Sequence, residues 1–352
     1  MPAVSIILPL YNGRAFIKHT ISAIRAQDFQ DWELLVINDG SCDHGEEFAE
    51  QAARKDQRIR VYHKPNGGIS SARNYGLFKA SGAYIAFADQ DDTVGKGWLS
   101  ALYNGMAGDA DLAVAGKKLT IRNTAGKALA SKVYRYQDTV LETDEERYRF
   151  LFNQENDAAS HHVWSCMYQK ALIDTYGVRF AENLSMGMED VLFNICYGYY
   201  CKRIHKIPQV VYSYQKRAGI STSTKYNPDI AKEYAYRMQM IARLFGFSAS
   251  QDGSMAYPMY ADYALRELCN LYVRSRGLDS LELLARLREA YVENVPRKAA
   301  VFFGRERFSK ALFKRVLYAA ADGLLRNERY VLFRLLKGGA DLCGHLGSGK
   351  GN

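Results

Sequence analysis

The chain has 352 residues, 48% of them hydrophobic and 24% charged, and a formal net charge of +9. That length suffices for one large domain with an appendage or for two domains, and the composition is that of an ordinary soluble globular protein. No stretch approaches the ~18 uninterrupted apolar residues of a membrane-spanning helix. The six cysteines form no C-x-x-C pair, which speaks against a zinc site or a disulfide framework and for reduced thiols in a cytoplasmic protein.

Residues 1–3 lead straight into an apolar segment with neither a basic leader nor a cleavage site, so no signal peptide is expected. Residues 4–11 read as a buried strand. Residues 14–27 form an amphipathic helix, with Phe16, Ile17, Ile21 and Ile24 on one face. A second strand over 32–39, a polar helix over 44–54, a short strand over 59–63, a helix over 70–80 and a strand over 83–88 follow. Strands separated by single helices imply right-handed crossovers and a mostly parallel sheet, with ligands beyond the carboxyl ends of the strands. Residues 111–140 read as less regular strands and 153–165 as a polar, mobile loop. A helix is expected over 190–202. From 231 onward the pattern is helical, interrupted at 246–257 and by Pro296. An α/β domain over 1–225 followed by a helical region over 226–352 is the expected organisation.

Chemistry gathers at the strand ends. Asp89-Gln90-Asp91-Asp92 follows the apolar run 83–88. Three carboxylates there repel one another, and a hard divalent cation, Mg²⁺ or Mn²⁺, relieves that repulsion with oxygen ligands. Asp39-Gly40-Ser41 closes the second strand and has two readings: a capped turn, or a carboxylate that accepts an N–H from a nucleobase edge. Residues 66–76, with Gly67 and Gly68 before a helix carrying Ser70 and Arg73, form a candidate anion site from free N–H groups, helix dipole and guanidinium. Neither G-x-G-x-x-G nor G-x-x-x-x-G-K-[ST] is present, which counts against a dinucleotide oxidoreductase or a P-loop NTPase.

In order, Pro-x-Tyr-Asn (from Pro9), Asp-Gly-Ser-x-Asp (from Asp39), Asn-x-Gly-x-Ser-x-Ala-Arg-Asn-x-Gly (from Asn66), Asp-x-Asp-Asp (from Asp89) and Gly187-Met188-Glu189-Asp190 resemble glycosyltransferase family 2 over about residues 3–225. The resemblance implies a GT-A fold and an inverting, metal-dependent transfer from a nucleotide sugar, UDP-linked, to a glycan or lipid-linked acceptor in bacterial surface polysaccharide or lipopolysaccharide synthesis. It divides the domain into a nucleotide-sugar half, about 1–110, and an acceptor half, about 111–225. Pro9, Tyr11, Asp39, Arg73, Asp89 and Arg217 are thereby placed around the donor: Tyr11 and Asp39 at the nucleobase, Arg73 at the base or diphosphate, Arg217 with Ser221 over the diphosphate. A strand end with a cap remains the alternative for Arg217 and Ser221. Asp91, with Asp89, would hold Mn²⁺ or Mg²⁺. Asp190 would be the general base on the acceptor hydroxyl, with Glu189 beside it in catalysis and in positioning the acceptor. Trp164 would stack on the acceptor sugar or else be core, and His161 and His162 are loop residues within reach of the acceptor. Cys166 stands where the family often carries a Lys, which leaves acceptor preference open.

Residues 297–352 hold twelve Lys/Arg against four Asp/Glu, a surplus of eight in one tail. Leu312, Phe313, Val316, Leu317, Ala320 and Leu324 fall at helical spacing there, among Lys310, Lys314, Arg315, Arg326 and Arg334. The stripe reads either as core or as an interfacial helix on an anionic membrane surface, making the protein peripheral on the inner face of the membrane. The helical region is also a candidate for homodimer formation. Two other classes stay open: a nucleotidyltransferase acting on sugar phosphates, and a non-catalytic module binding glycan or nucleic acid. No nucleic-acid motif supports the last, and nucleic acid is not an expected partner.

Overall fold

The computed structural model describes residues 1–153, 161–185, 187–217, 227–247, 255–274 and 281–295. The chain divides into two compact units, Met1–Lys225 and Tyr226–Asn352.

The first unit runs β1 (Val4–Leu10), α1 (Ile17–Arg25), β2 (Trp32–Asn38), α2 (Glu46–Lys55), β3 (Ile59–His63), α3 (Gly68–Lys79), β4 (Tyr84–Phe87), β5 (Thr93–Val94) and α4 (Trp98–Gly105). It continues with β6 (Leu112–Arg122), β7 (Ala128–Tyr134), β8 (Thr139–Leu141), α5 (Asp144–Leu151), β9 (Cys166–Gln169), α6 (Lys170–Thr175), α7 (Met188–Tyr200) and β10 (Ile204–Arg217). The strands form one sheet in the order β3-β2-β1-β4-β9-β6-β10-β5, with β7 on β6 and β8 on β10. From β3 to β4 all neighbours are parallel, as single-helix crossovers require. β9 then inserts antiparallel to both β4 and β6, so the second half of the sheet is mixed.

β1 and β2 are buried along their whole length because helices cover both faces, which explains their unbroken apolar reading. Ile6, Leu8, Leu34, Val36 and Ala86 meet Trp98 and Leu102 in one core. Three expected boundaries move. Helix α1 starts at Ile17 because residues 13–16 make a turn in which the Arg14 N–H donates to Asp43 Oδ2 at 2.8 Å. Within the expected 153–165 loop, Val163, Trp164 and Ser165 are fully buried, so its end is core; residues 154–160 lie outside the described residues. Helix α7 begins two residues earlier than expected, which brings Glu189 and Asp190 into its first turn.

In the second unit, α8 (Ile230–Leu244), α9 (Ala256–Arg274) and α10 (Leu281–Asn294) pack on one another. The Tyr260 hydroxyl lies 3.1 Å from the Met238 carbonyl and 3.2 Å from that of Asn294, and buried Arg237 pairs with Glu267 at 2.8 Å. The basic stripe after residue 296 falls outside the described residues. No helix among the described residues is long and apolar enough to cross a membrane.

Candidate active site at the strand ends

The carboxyl ends of β1, β2 and β4 open into one crevice. Odd-numbered residues of β1 face β4, since the Tyr84 N–H donates to the Ala3 carbonyl and the Ala88 N–H to that of Ile7. Pairing with β4 stops at Ile7–Phe87, so the N–H that Pro9 lacks would have met no strand; proline suits that position. Beyond it, the Tyr11 N–H donates to Gln90 Oε1 at 2.9 Å, and Gln90 Nε2 donates back to the Tyr11 carbonyl at 3.0 Å. This two-way clasp ties the end of β1 to the loop after β4 and leaves the Tyr11 ring 50% exposed.

Asp39 is buried and already engaged. Its Oδ1 accepts from Lys64 Nζ (2.6 Å) and the Gly67 N–H (3.0 Å), its Oδ2 from the Gly68 N–H (2.8 Å). The carboxylate therefore fastens β2 to the N-terminus of α3. The glycine-rich turn spends two of its N–H groups on Asp39, which accounts for N–H groups that the sequence reading offered to an anion. Two oxygens have about four acceptor positions, so Asp39 retains one.

The acidic cluster divides its labour. Asp89 and Asp91 remain partly exposed. Asp91 pairs with Arg217 at 2.5 Å, and Arg217 Nη2 also donates to the Asp91 carbonyl at 3.0 Å. The guanidinium stands 4.7 Å from the centre of the Phe16 ring. Burial, then the negative charge of Asp89, pushes the Asp91 carboxyl above the usual range, against the pull of Arg217. Asp92 points inward, where its Oδ1 accepts from the Gln215 N–H at 3.0 Å and the Tyr212 hydroxyl lies against its carboxylate. Burial and the charges of Asp89 and Asp91 raise it strongly. Oxygen donors under mutual repulsion fit a hard divalent cation that completes its shell with phosphate oxygens and water. Among the described residues no three His, Cys, Asp or Glu side chains converge to hold one unaided.

Arg73 joins this cluster to α7. Its side chain is 1% exposed, with Nη2 3.1 Å from Asp89 Oδ1, and Nη1 2.5 Å from Asp190 Oδ1 and 3.6 Å from Glu189 Oε1. The neighbouring Asn74 clamps the backbone of Phe180: its Nδ2 donates to the Phe180 carbonyl at 3.0 Å and its Oδ1 accepts the Phe180 N–H at 2.9 Å. Successive residues of α3 thus hold α7 and the segment leading to it. Gly187, at φ +88°, makes the left-handed turn into α7, and its N–H donates to Glu189 Oε2 at 2.9 Å. Burial pushes Asp190 up to about 8, opposed by Arg73 and reinforced by Glu189 and Asp89. Glu189 is raised by burial as well, against the pull of Arg73.

Asp89, Asp91, Arg217, Arg73, Glu189 and Asp190 are therefore brought together from four separate stretches of chain. Trp164 is not part of that crevice. It is 2% exposed and stacked on His162 at 4.7 Å and on Tyr212 at 4.2 Å, so its expected sugar face is covered by the core. Its partner His162 is likewise committed to the stack. Cys166 is buried, its thiol pushed up to about 12, and lies near Lys117, a buried lysine that reaches within 5.6 Å of the Trp164 ring. Ser221 lies outside the described residues. The sequence reading missed Gln90, Lys64 and Tyr212, whose hydroxyl accepts the Asp89 N–H at 3.1 Å. Only the alternation of Tyr212 and Tyr214 along an apolar strand hinted at inward-facing side chains.

Residues 5–174 match the family model described as glycosyl transferase family 2. Over residues 5–174, just under half of its length, the chain carries a glycosyltransferase family 2 domain. The Bacillus subtilis (strain 168) protein EpsJ, described as an uncharacterized glycosyltransferase, is 32% identical over 65% of this chain and 65% of its own length. The putative glycosyltransferase EpsH of the same organism is 26% identical over 61% of each chain. The match thus spans less than two thirds of either relative. In three dimensions the chain is similar to S. aureus TarS 1-349, crystallised in complex with UDP-GlcNAc, with a TM-score of 0.72 and 20% identity over 95% of this chain and 90% of that one. That likeness establishes the fold as GT-A.

Proposed function

We propose that this protein is an inverting, metal-dependent glycosyltransferase that moves a sugar from a UDP-linked donor to a glycan or lipid-linked acceptor in bacterial surface polysaccharide or lipopolysaccharide synthesis. The reading rests on one observation above all: a single buried guanidinium spans the acid at the donor-side strand end, Asp89, and the first-turn acid of α7, Asp190. The relatives named as glycosyltransferases, and TarS with its UDP-GlcNAc, support the donor class.

Ionised Asp190 takes the proton of the acceptor hydroxyl as its oxygen attacks the anomeric carbon. The bond from that carbon to the diphosphate oxygen breaks, and nucleoside diphosphate departs from the opposite face. An α-linked donor therefore gives a β-glycoside. Glu189 holds the turn into α7 through the Gly187 N–H and so keeps Asp190 in place. Arg217, paired with Asp91, would meet phosphate charge. Asp91 and Asp89 would hold a Mg²⁺ or Mn²⁺ ion, which would supply charge neutralisation for the departing diphosphate; one unit-charge pair at 4 Å and a dielectric near 20 is worth about 4 kcal/mol, and ~1.4 kcal/mol is tenfold in rate.

Incubation with a panel of sugar nucleotides, Mn²⁺ and a lipid or glycan acceptor tests this. Release of nucleoside diphosphate supports sugar transfer, pyrophosphate indicates nucleotidyl transfer, and release of neither rejects both. Asp190→Asn, which keeps shape but cannot accept the proton, is expected to lower kcat by about 10²–10⁴ with donor binding retained.

A further inference from the structure

We propose that Arg73 is a positioning residue that couples the donor side of the crevice to the acceptor base, rather than a ligand of the donor. The inference rests on the glycosyl-transfer reading above and deepens it. The two terminal nitrogens of the guanidinium serve different partners: Nη2 meets Asp89, Nη1 meets Asp190 and the nearby Glu189. The fork is fully buried, so it offers no face to a donor arriving from solvent. Its position is set from several directions. The guanidinium carbon lies 5.2 Å from the centre of the Phe180 ring, and Asn74 fixes the backbone of Phe180 from both sides. Close contact of α3 with β1 at Gly76 fixes the helix that carries it.

A planar fork can bridge two carboxylates held apart on separate elements; a single ammonium cannot do so with the same geometry. Three acids share one cation, so their holds on it are linked. An Asp89 engaged by the donor would leave the charge of Arg73 to the acids of α7, so the base would be set once the donor is in place. The groups facing Asp190 are Arg73 from α3, Glu189 on α7, Asp89 after β4, and the thiol of Cys166 and phenol of Tyr168 on β9.

The test is Arg73→Lys in the full-length chain, with donor affinity measured by calorimetry using UDP-GlcNAc and kcat by nucleoside diphosphate release. The expected result is a donor Kd within about threefold of wild type and a kcat lower by about a hundredfold, the scale of a 1 Å misplacement. A variant with wild-type kcat and weakened donor binding makes Arg73 a donor ligand and overturns the inference. If wild-type protein itself releases no nucleoside diphosphate with any donor, the glycosyl-transfer reading fails and takes this inference with it. Should circular dichroism show Arg73→Lys unfolded, Asp89→Asn tests the coupling from the other side. Freeing the guanidinium for Asp190 is expected to move the midpoint of the pH–kcat profile to lower pH. An unchanged or higher midpoint overturns the coupling.

Discussion

As the proposed general base, Asp190 faces two opposed demands: it must be ionised, yet it is nearly fully buried beside two other acids. Burial and the charges of Glu189 and Asp89 favour the protonated form, while Arg73 and the backbone N–H of Val163 favour the carboxylate, and the balance stands at about 8. The sign for activity follows directly. The competent form is the deprotonated one, so kcat/KM rises with pH and levels off above about 8. On the acid side it falls about tenfold per pH unit, since that quantity reports the free enzyme. A rate profile between pH 5 and 9 checks this; a flat profile down to pH 6 removes Asp190 as the base. At the same scale, what the sequence can express is chemical type and spacing, not orientation. Asp89, Asp91 and Asp92 read alike, but Asp92 turns inward to the Gln215 N–H. The open choice at Asp39 leaned on its position at a strand end; its carboxylate holds Lys64 and two glycine N–H groups. Arg73 was legible as a guanidinium near phosphate, yet its acidic partner Asp190 stands 117 residues away, a separation no local pattern encodes.

Among the elements, α3 carries the most. It brings Arg73 to the acids, Asn74 to the segment before α7, and its own N-terminus to Asp39. It can do this because Gly76 lets the helix lie directly on β1: a Cβ there would sit 2.4 Å from Ile7 Cγ2. Gly76→Ala is therefore expected to push the helix off the strand, lowering stability by about 1–3 kcal/mol as overpacked cores do. It should lower kcat in the same variant, because Arg73 moves with the helix. Urea unfolding and turnover measured together check it, and a stable variant with undiminished kcat contradicts the account. The parallel half of the sheet was legible because strands covered on both faces are uniformly apolar and alternate with helices of clear period. The mixed half was not. β9 has four residues and follows a polar stretch, and β10 mixes buried and half-exposed positions over fourteen residues with two register shifts. The stretch ending at Ser165 reads as loop by composition, yet its end packs as the His162–Trp164–Tyr212 stack because tertiary burial overrides local polarity.

For the whole molecule, charge is distributed unevenly along the chain. The net charge is +9, and the last 56 residues carry twelve basic against four acidic side chains, so the remainder is nearly neutral. A crevice lined by Asp89, Asp91, Glu189 and Asp190 gains nothing from a basic tail drawn toward it, whereas an anionic surface holding a lipid-linked acceptor gains both proximity and orientation. Basic residues near such a surface contribute roughly 1 kcal/mol each, and the attraction fades over a Debye length of about 8 Å at physiological salt. The full-length chain is therefore expected to float with vesicles containing phosphatidylglycerol and to leave them as salt rises from about 0.1 to 1 M. A chain ending at Val295 should remain in the soluble fraction, while turnover on a water-soluble acceptor stays close to wild type, because the acidic crevice lies within residues 1–217. Equal flotation of the two chains would show that the surplus charge serves another purpose, and the acceptor would then have to be delivered without help from the membrane.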